Sequence, residues 1–218
     1  MNRREALSTV TILLGGTLIG ADAFLSGCKA SDKKAAFSVD DIALLDDVGE
    51  TIIPTTPDSP GAKAAKIGEF MKTIVNDCYT PEQQKVFTDG IGQLRDACQK
   101  KYSKDFTALS ADQKTEFLKA LDKEAKDFAN SDDYKKKKEA FDKEQDAWVK
   151  AEEAKKNFGA SHMRKSYPPH YFAMIKQLTT WGYFSSEIGM TKDLRYMETP
   201  GKFDGAYPYA KGEKAWAM

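Results

Sequence analysis

Residues 80–98 of the chain read TPEQQKVFTDGIGQLRDAC. Thr80 can cap a helix, Pro81 suits the first helical position because its missing amide hydrogen is not needed there, and Gln83 can bond back to the cap. Beyond this start, apolar side chains recur every three or four residues and form one stripe: Phe87, Ile91, Leu94 and Cys98. The stretch therefore predicts an amphipathic helix that buries one face.

Similar signals occur on both sides of this helix. Ser38 and Ser110 each precede a helical apolar pattern, so each can serve as a helix cap. Helix is also predicted from Ala62 to about Cys78 and from Tyr171 to Trp181. The sequence has no long alternation of period two, which strands would require. We therefore predict an all-α fold, a helical bundle with a long irregular, aromatic-rich C-terminal tail.

The middle of the chain, residues 130–156, is dense in charge. Tyr134, Phe141 and Trp148 nevertheless recur every seven residues, which predicts a long, mostly solvated helix or a helical hairpin. The lysine run 135–138 is flanked by acidic residues and is interpreted as part of a solvated face.

The tail differs from the rest in its side chains, with eleven aromatic residues between Phe158 and Tyr209. Glycine and proline interrupt it at short intervals, so the stretches 184–189 and 200–205 are predicted to be irregular. Aromatic residues with polar neighbours are typical of protein interfaces. An equally open alternative is that the tail wraps around its own bundle.

The charge balance excludes two classes of partner. The 218 residues contain 33 basic and 33 acidic side chains. A neutral chain argues against binding of nucleic acid and against attraction to an acidic membrane surface through basic residues.

The N-terminus has the layout of a signal peptide. Arg3 and Arg4 precede an apolar run, residues 10–21, that is too short to cross a membrane. The arginine pair resembles a twin-arginine export signal, and residues 25–28, Leu-Ser-Gly-Cys, resemble a lipobox that would place lipid on Cys28. Two or three acyl chains would anchor the protein firmly.

These features predict three segments: a signal peptide at 1–27, a tether at 28–37 and a single helical domain at 38–218 with an interface tail. The mature protein is expected to be exported and lipid-anchored on the periplasmic side of the cell envelope. Cys78 and Cys98 fall on consecutive antiparallel helices, far apart along the helix axes, so two buried thiols are predicted rather than a disulfide.

The chain contains no motif for a nucleotide, a dinucleotide or covalent haem. His162 and His170 lack neighbouring ligands at the spacing that a metal site uses, so each is interpreted as a structural or interface residue. We predict no catalytic residue, no metal and no cofactor in this chain. A serine or cysteine nucleophile with a histidine base stays open, although no elbow motif places one.

Two parts of the sequence resemble the gluconate 2-dehydrogenase subunit 3 family, the small subunits of membrane-bound flavin dehydrogenases. The first is 50–56, Glu-Thr-Ile-Ile-Pro-Thr-Thr, followed by Pro-Gly-Ala at 60–62 and Asn-Asp-Cys-Tyr at 76–79. The second is 182–189, Gly-Tyr-Phe-Ser-Ser-Glu-Ile-Gly, with Leu-Arg-Tyr at 194–196 and Pro-Gly at 200–201.

The resemblance implies a helical accessory subunit without cofactor. Its partner would be a large FAD-binding dehydrogenase subunit of the glucose-methanol-choline type, often accompanied by a c-type cytochrome. The resemblance also implies that the signal of the small subunit carries the flavin-loaded large subunit across the membrane and helps it to fold. The expected contact residues lie in a proline-rich loop and in the tail: Pro54, Thr55, Thr56, Pro60, Gly61, Ala62, Phe184, Ser185, Ser186, Glu187, Gly189, Arg195, Tyr196, Pro200 and Gly201.

Two other functions remain open from the sequence. One is a free-standing helical lipoprotein enzyme that uses His162 or His170. The other is a cell-envelope adaptor without a redox partner.

Overall fold

The computed structural model describes residues 35–155, 164–199, 201, 204–208 and 210–217. The predictions for Arg3, Arg4 and Cys28, for His162 and for Pro200 lie outside these ranges. Within them the regular structure is helical, with isolated bridging pairs and no strand, which confirms the all-α prediction.

The described part holds six α-helices: α1 (Val39–Ile52), α2 (Ile67–Cys78), α3 (Pro81–Tyr102), α4 (Ala111–Asn130), α5 (Asp132–Ala154) and α6 (Tyr171–Ser185). Two 3₁₀ turns, Ala62–Ala65 and Phe106–Ala108, join helices, and a π-helical turn, Gly189–Asp193, follows α6. The helix predicted from Ala62 is divided, because Lys66 adopts a left-handed conformation with φ of 54° before α2 begins.

The predicted caps are present. Ser38, Thr80 and Ser110 each accept a hydrogen bond from the backbone amide three residues later, and the side chain at that position returns a bond to the cap. These reciprocal bonds satisfy amides that would otherwise lack a partner at the helix start. Local sequence therefore fixes where α1, α3 and α4 begin.

Helix α6 is the centre of the bundle and packs against α1, α2, α3 and α4. It is the most apolar of the six helices and buries side chains around most of its circumference: Tyr171, Phe172, Met174, Ile175, Leu178, Thr179 and Tyr183. The predicted apolar helix is confirmed but is longer than expected, because it continues past Trp181 to Ser185. Phe184 and Ser185, predicted to be irregular, are therefore in its last turn.

Helix α5 is one continuous helix, and none of its residues is buried. This confirms the prediction that the charge-dense residues 130–156 are mostly solvated. Of the two predicted forms, a long helix and a helical hairpin, the structure has the long helix. Its stability comes partly from ion pairs one turn apart, such as Lys137 with Asp133 and Lys138 with Asp142.

The two cysteines of the domain are both free. Cys98 is buried, and burial raises the pKa of its thiol. Cys78 is exposed at the last position of α2, so the prediction that both thiols are buried is wrong for this residue. The helix that carries Cys78 ends there with this side chain at the surface, whereas Val75, three residues earlier, is buried in the core.

The start of the domain also differs slightly from the prediction. Phe37, assigned to the tether, packs partly against the core, with its ring centroid 6.0 Å from that of Phe87. One aromatic residue next to the Ser38 cap is enough to attach the chain to the bundle.

Asp47 links three elements of the bundle. Its carboxylate oxygens lie 2.8 Å from Lys63 Nζ and 2.8 Å from Lys114 Nζ, which belong to the first 3₁₀ turn and to α4. Burial alone would raise the pKa of Asp47, but the hydrogen bonds and charges of Lys114 and Lys63 outweigh burial and hold the pKa below its usual value. The ionised carboxylate is therefore stabilised in the folded state.

We expect Asp47→Asn to lower the free energy of unfolding by about 1–2 kcal/mol at neutral pH, because two ammonium groups lose their counter-charge. A carboxyl group whose pKa is depressed by folding stabilises the protein above its unfolded pKa of about 4 and loses that contribution as the pH falls through the folded value. The difference between Asp47→Asn and wild type should thus persist from neutral pH down to about pH 5 and shrink below about pH 4. Urea unfolding across this pH range measures it.

The matched control is Asp133→Asn, which removes an exposed carboxylate paired with Lys137 on α5. Such pairs contribute only about 0.3–0.5 kcal/mol. An equal loss of stability in both variants would show that the Asp47 cluster has no special role.

Candidate partner interface

The loop between α1 and the first 3₁₀ turn, residues 54–61, is closed at its base and at its tip. At the base, the Ala62 amide donates to the Ile53 carbonyl at 2.9 Å. At the tip, Thr56 and Ser59 exchange backbone hydrogen bonds of 2.8 and 3.2 Å around the turn that holds Pro57 and Asp58. The proline-rich loop is therefore held by internal hydrogen bonds as well as by its prolines.

Glu50, in the last turn of α1, holds both ends of this loop. One carboxylate oxygen accepts hydrogen bonds from the Thr55 amide at 2.8 Å and from the Thr55 hydroxyl at 2.6 Å. The other accepts from the Lys63 amide at 3.0 Å. A side chain on a rigid helix thus fixes the loop at its entrance and just after its exit.

Gly61 is required by the geometry of this loop. Its φ is 75°, a region that residues with a β-carbon rarely adopt. A β-carbon there would also lie 2.5 Å from Thr55 Oγ1 and 2.7 Å from Glu50 Oε2. The Pro-Gly pair of the family resemblance therefore has a structural explanation.

The second family segment begins in the last turn of α6 and turns sharply. Ser186 caps this end: its hydroxyl donates to the Tyr183 carbonyl at 2.6 Å and accepts from the Gly189 amide at 3.0 Å. The Gly189–Asp193 turn then packs so closely on α6 that a β-carbon at Gly189 would lie 2.0 Å from the Tyr183 carbonyl oxygen.

The fold joins the two family segments through three polar side chains, which we term the Ser59–Tyr183–Asp193 triangle. The hydroxyls of Ser59 and Tyr183 each donate to Asp193 Oδ2 at 2.8 Å, and they lie 3.0 Å from each other. Burial and the nearby Asp193 carboxylate raise the pKa of Tyr183, so its hydroxyl keeps its proton and remains a donor. Residues 134 positions apart in sequence are thereby held in contact.

Most of the expected contact residues are accessible. Those exposed are Pro54, Thr55, Thr56, Phe184, Ser185, Glu187, Tyr196 and Gly201, and Pro60 and Ser186 are half-buried. Gly61, Ala62 and Gly189 are buried within this chain, and their contact with a partner stays a prediction. Gly61 and Gly189 allow other atoms of the chain to approach their backbone closely, and Ala62 belongs to the core.

Arg195 interacts with several residues of its own chain. The sequence analysis predicted it only as a contact residue for a partner. Its guanidinium carbon lies 4.5 Å from the ring centroid of Trp216 and 5.6 Å from that of Tyr207, and one nitrogen is 3.4 Å from the Glu213 carboxylate. Its backbone pairs with Ala215 and Ala217. Arg195 therefore joins residues 207 and 213–217 to the segment that follows the π-helical turn.

Trp181 was not among the predicted contact residues, yet its side chain is 53% exposed on α6. It lies one turn before Phe184, and its ring meets the half-buried Phe70 edge-on at a centroid distance of 5.4 Å. Its position in an apolar helix gave no sign of exposure, because the sequence does not show which side of α6 is left uncovered.

His170 acts as the N-cap of α6. Its Nδ1 accepts the Phe172 amide hydrogen at 3.2 Å, and its Nε2 lies 3.6 Å from Glu124. Burial lowers the pKa of the imidazole more than Glu124 raises it, so the neutral ring that capping requires is favoured. This geometry supports the structural interpretation of His170.

Neither a metal cluster nor a membrane span occurs in the part of the chain that the structure describes. No three His, Cys, Asp or Glu side chains there are grouped closely enough to hold a metal ion. None of the described helices is both long and apolar enough to cross a bilayer.

The described residues form a helical bundle in which a hydrogen-bonded loop and the aromatic end of α6 lie together. The chain belongs to the gluconate 2-dehydrogenase subunit 3 family, whose model matches residues 39–201. No curated protein and no solved structure matches the chain.

Proposed function

We propose that this chain is a non-catalytic accessory subunit that binds a large FAD-dependent sugar or sugar-acid dehydrogenase of the glucose-methanol-choline type. It assists the folding and export of that subunit and anchors it to the membrane through lipidated Cys28. The FAD is assigned to the partner, and a c-type cytochrome is a further candidate component of the complex.

One observation carries the proposal beyond family membership: the two segments with the family motifs meet at the Ser59–Tyr183–Asp193 triangle. Beside it, Thr55, Thr56 and Phe184 are exposed. Thr56 and Phe184 are thus available to a second subunit, and exposed aromatic rings are typical of protein interfaces.

Co-purification tests the binding role. A C-terminal affinity tag leaves the N-terminal signal free, and membranes from the native host are solubilised in mild detergent before capture. We expect a larger flavin-containing chain in stoichiometric amount, detected by flavin fluorescence and mass spectrometry. Recovery of the tagged chain alone, or with chains that contain no flavin, would refute the proposed function.

Two N-terminal variants separate export from anchoring. Replacement of Arg3 and Arg4 by lysines is expected to retain both this chain and the flavoprotein in the cytoplasm, because the partner depends on this signal. Cys28→Ser is expected to leave export intact but to release the complex from the membrane, since no acyl chain remains. Cell fractionation with flavin detection measures both results. Normal export of the flavoprotein beside the lysine variant would contradict the export role.

A further inference from the structure

We propose that Ser59, Tyr183 and Asp193 are positioning residues that fix the loop 54–61 and the end of α6 in one arrangement, so that the partner meets them as a single docking surface. This inference rests on the proposed function and identifies which groups prepare the site for the flavoprotein.

The triangle joins the loop and the tail through side-chain hydrogen bonds, whereas the local bonds of each segment run to its own helix. The loop is tied to α1 through Glu50, and the tail turn is tied to α6 through Ser186. Packing of α6 against α1 and against the first 3₁₀ turn brings the loop and the tail together. The two hydroxyls that converge on Asp193 Oδ2 add directional bonds between them, which set how the loop tip lies on the end of α6.

The chemistry of the triangle suits positioning better than simple packing. Apolar side chains of similar size could fill the same volume, but they would allow the loop to slide over α6. Hydrogen bonds to an ionised carboxylate are short and directional, so they select one register. Tyr183 is fully buried, with a relative exposure of 0%, while Ser59 and Asp193 are half-buried, so the bonds are partly shielded from competing water.

The location connects the triangle to the exposed side chains on both sides. Ser59 directly follows the exposed tip residues Pro57 and Asp58, and Tyr183 directly precedes the exposed Phe184. Movement at the triangle therefore changes the spacing between the loop tip and the aromatic end of α6. A partner that contacts both would have to order them on binding if the triangle were absent, at a cost in affinity.

The test uses Tyr183→Phe and Ser59→Ala in the full-length chain, with Tyr171→Phe as the matched control. Tyr171 is also a buried tyrosine of α6, twelve residues and therefore roughly 18 Å along the helix from Tyr183. The probe is the flavin-containing subunit recovered with the wild-type chain, and its dissociation constant is measured for each variant. Hydrogen exchange of the free chain reports loop mobility independently of the partner.

We expect each triangle variant to bind the flavoprotein about tenfold more weakly, mainly through faster dissociation. Amide exchange at Thr55, Thr56 and Ala62 should become faster in the same variants, while Tyr171→Phe changes neither measurement. If Ser59→Ala and Tyr183→Phe both bind as tightly as wild type, the positioning role is overturned and the proposed function stands. If the wild-type chain itself recovers no flavoprotein, both the positioning role and the proposed function are overturned.

Discussion

Replacement of Trp181 by alanine is expected to weaken binding of the flavoprotein by about 2–4 kcal/mol, which corresponds to roughly 30- to 1,000-fold in affinity. Tryptophan is the residue type most often found to dominate interface energetics, because it buries a large rigid ring at a small entropic cost. Trp181 is 53% exposed in the isolated chain and is supported from below by Phe70. Its ring is therefore held in position before any partner binds.

Trp181→Ala should also destabilise the free subunit moderately, and this effect is measured separately from binding. The ring already faces water over about half of its surface, so the substitution removes the burial of the other half and one edge-to-face pair with Phe70, which adds about 0.5–1.5 kcal/mol beyond burial. Thermal unfolding of the free subunit measures this contribution, and titration with the flavoprotein measures binding.

Trp148→Ala is the matched control. Trp148 is 42% exposed and lies on α5, outside both family segments. The same chemical change at comparable exposure should leave the affinity within about twofold of wild type. If Trp148→Ala weakens binding more than Trp181→Ala, the docking surface lies on α5 and not at the end of α6.

Gly189→Ala is expected to destabilise the domain by about 2–4 kcal/mol, because overpacking against backbone cannot be relieved by rotation of a side chain. The new methyl group would lie 2.0 Å from the Tyr183 carbonyl oxygen and 2.8 Å from its carbonyl carbon. The turn that carries Asp193 must move away from α6, so the triangle is also expected to open. Urea unfolding measures the loss of stability, and hydrogen exchange at the loop measures the opening.

Gly92→Ala provides the control for Gly189→Ala. Gly92 lies within α3, and a β-carbon there would meet no atom within 4 Å. Alanine is favoured over glycine in a helix interior by about 1 kcal/mol, so this variant should be slightly more stable than wild type. Equal destabilisation by both substitutions would contradict the explanation by close backbone approach.

These predictions also show how far the candidate site could be read from the sequence. The loop with its Pro-Gly pair and the tail around Phe184 were identified as family segments, and the structure describes both as largely exposed. Their mutual contact could not be predicted, because Ser59 and Asp193 are 134 residues apart and are ordinary polar residues in their local context. No local pattern indicates that two hydroxyls share one carboxylate oxygen.

The surroundings of three predicted contact residues could not be read from the sequence for the same reason. Gly61 and Gly189 stand within motifs, but their function is to let backbone segments approach, which depends on what lies beside them in space. In the sequence, Arg195 looks like an ordinary surface charge. In the structure, the rings of Trp216 and Tyr207 lie against its guanidinium.

The sequence by itself determined the helical class, the starts of α1, α3 and α4, the solvated nature of α5 and the family. These properties depend on interactions within a few residues: caps, helical periodicity and charge spacing. Only the tertiary structure decided that α6 extends to Ser185, that Trp181 is exposed, and that the loop and the tail form one surface. Such properties depend on which faces of separate helices cover one another, and that is fixed only when the whole core is packed.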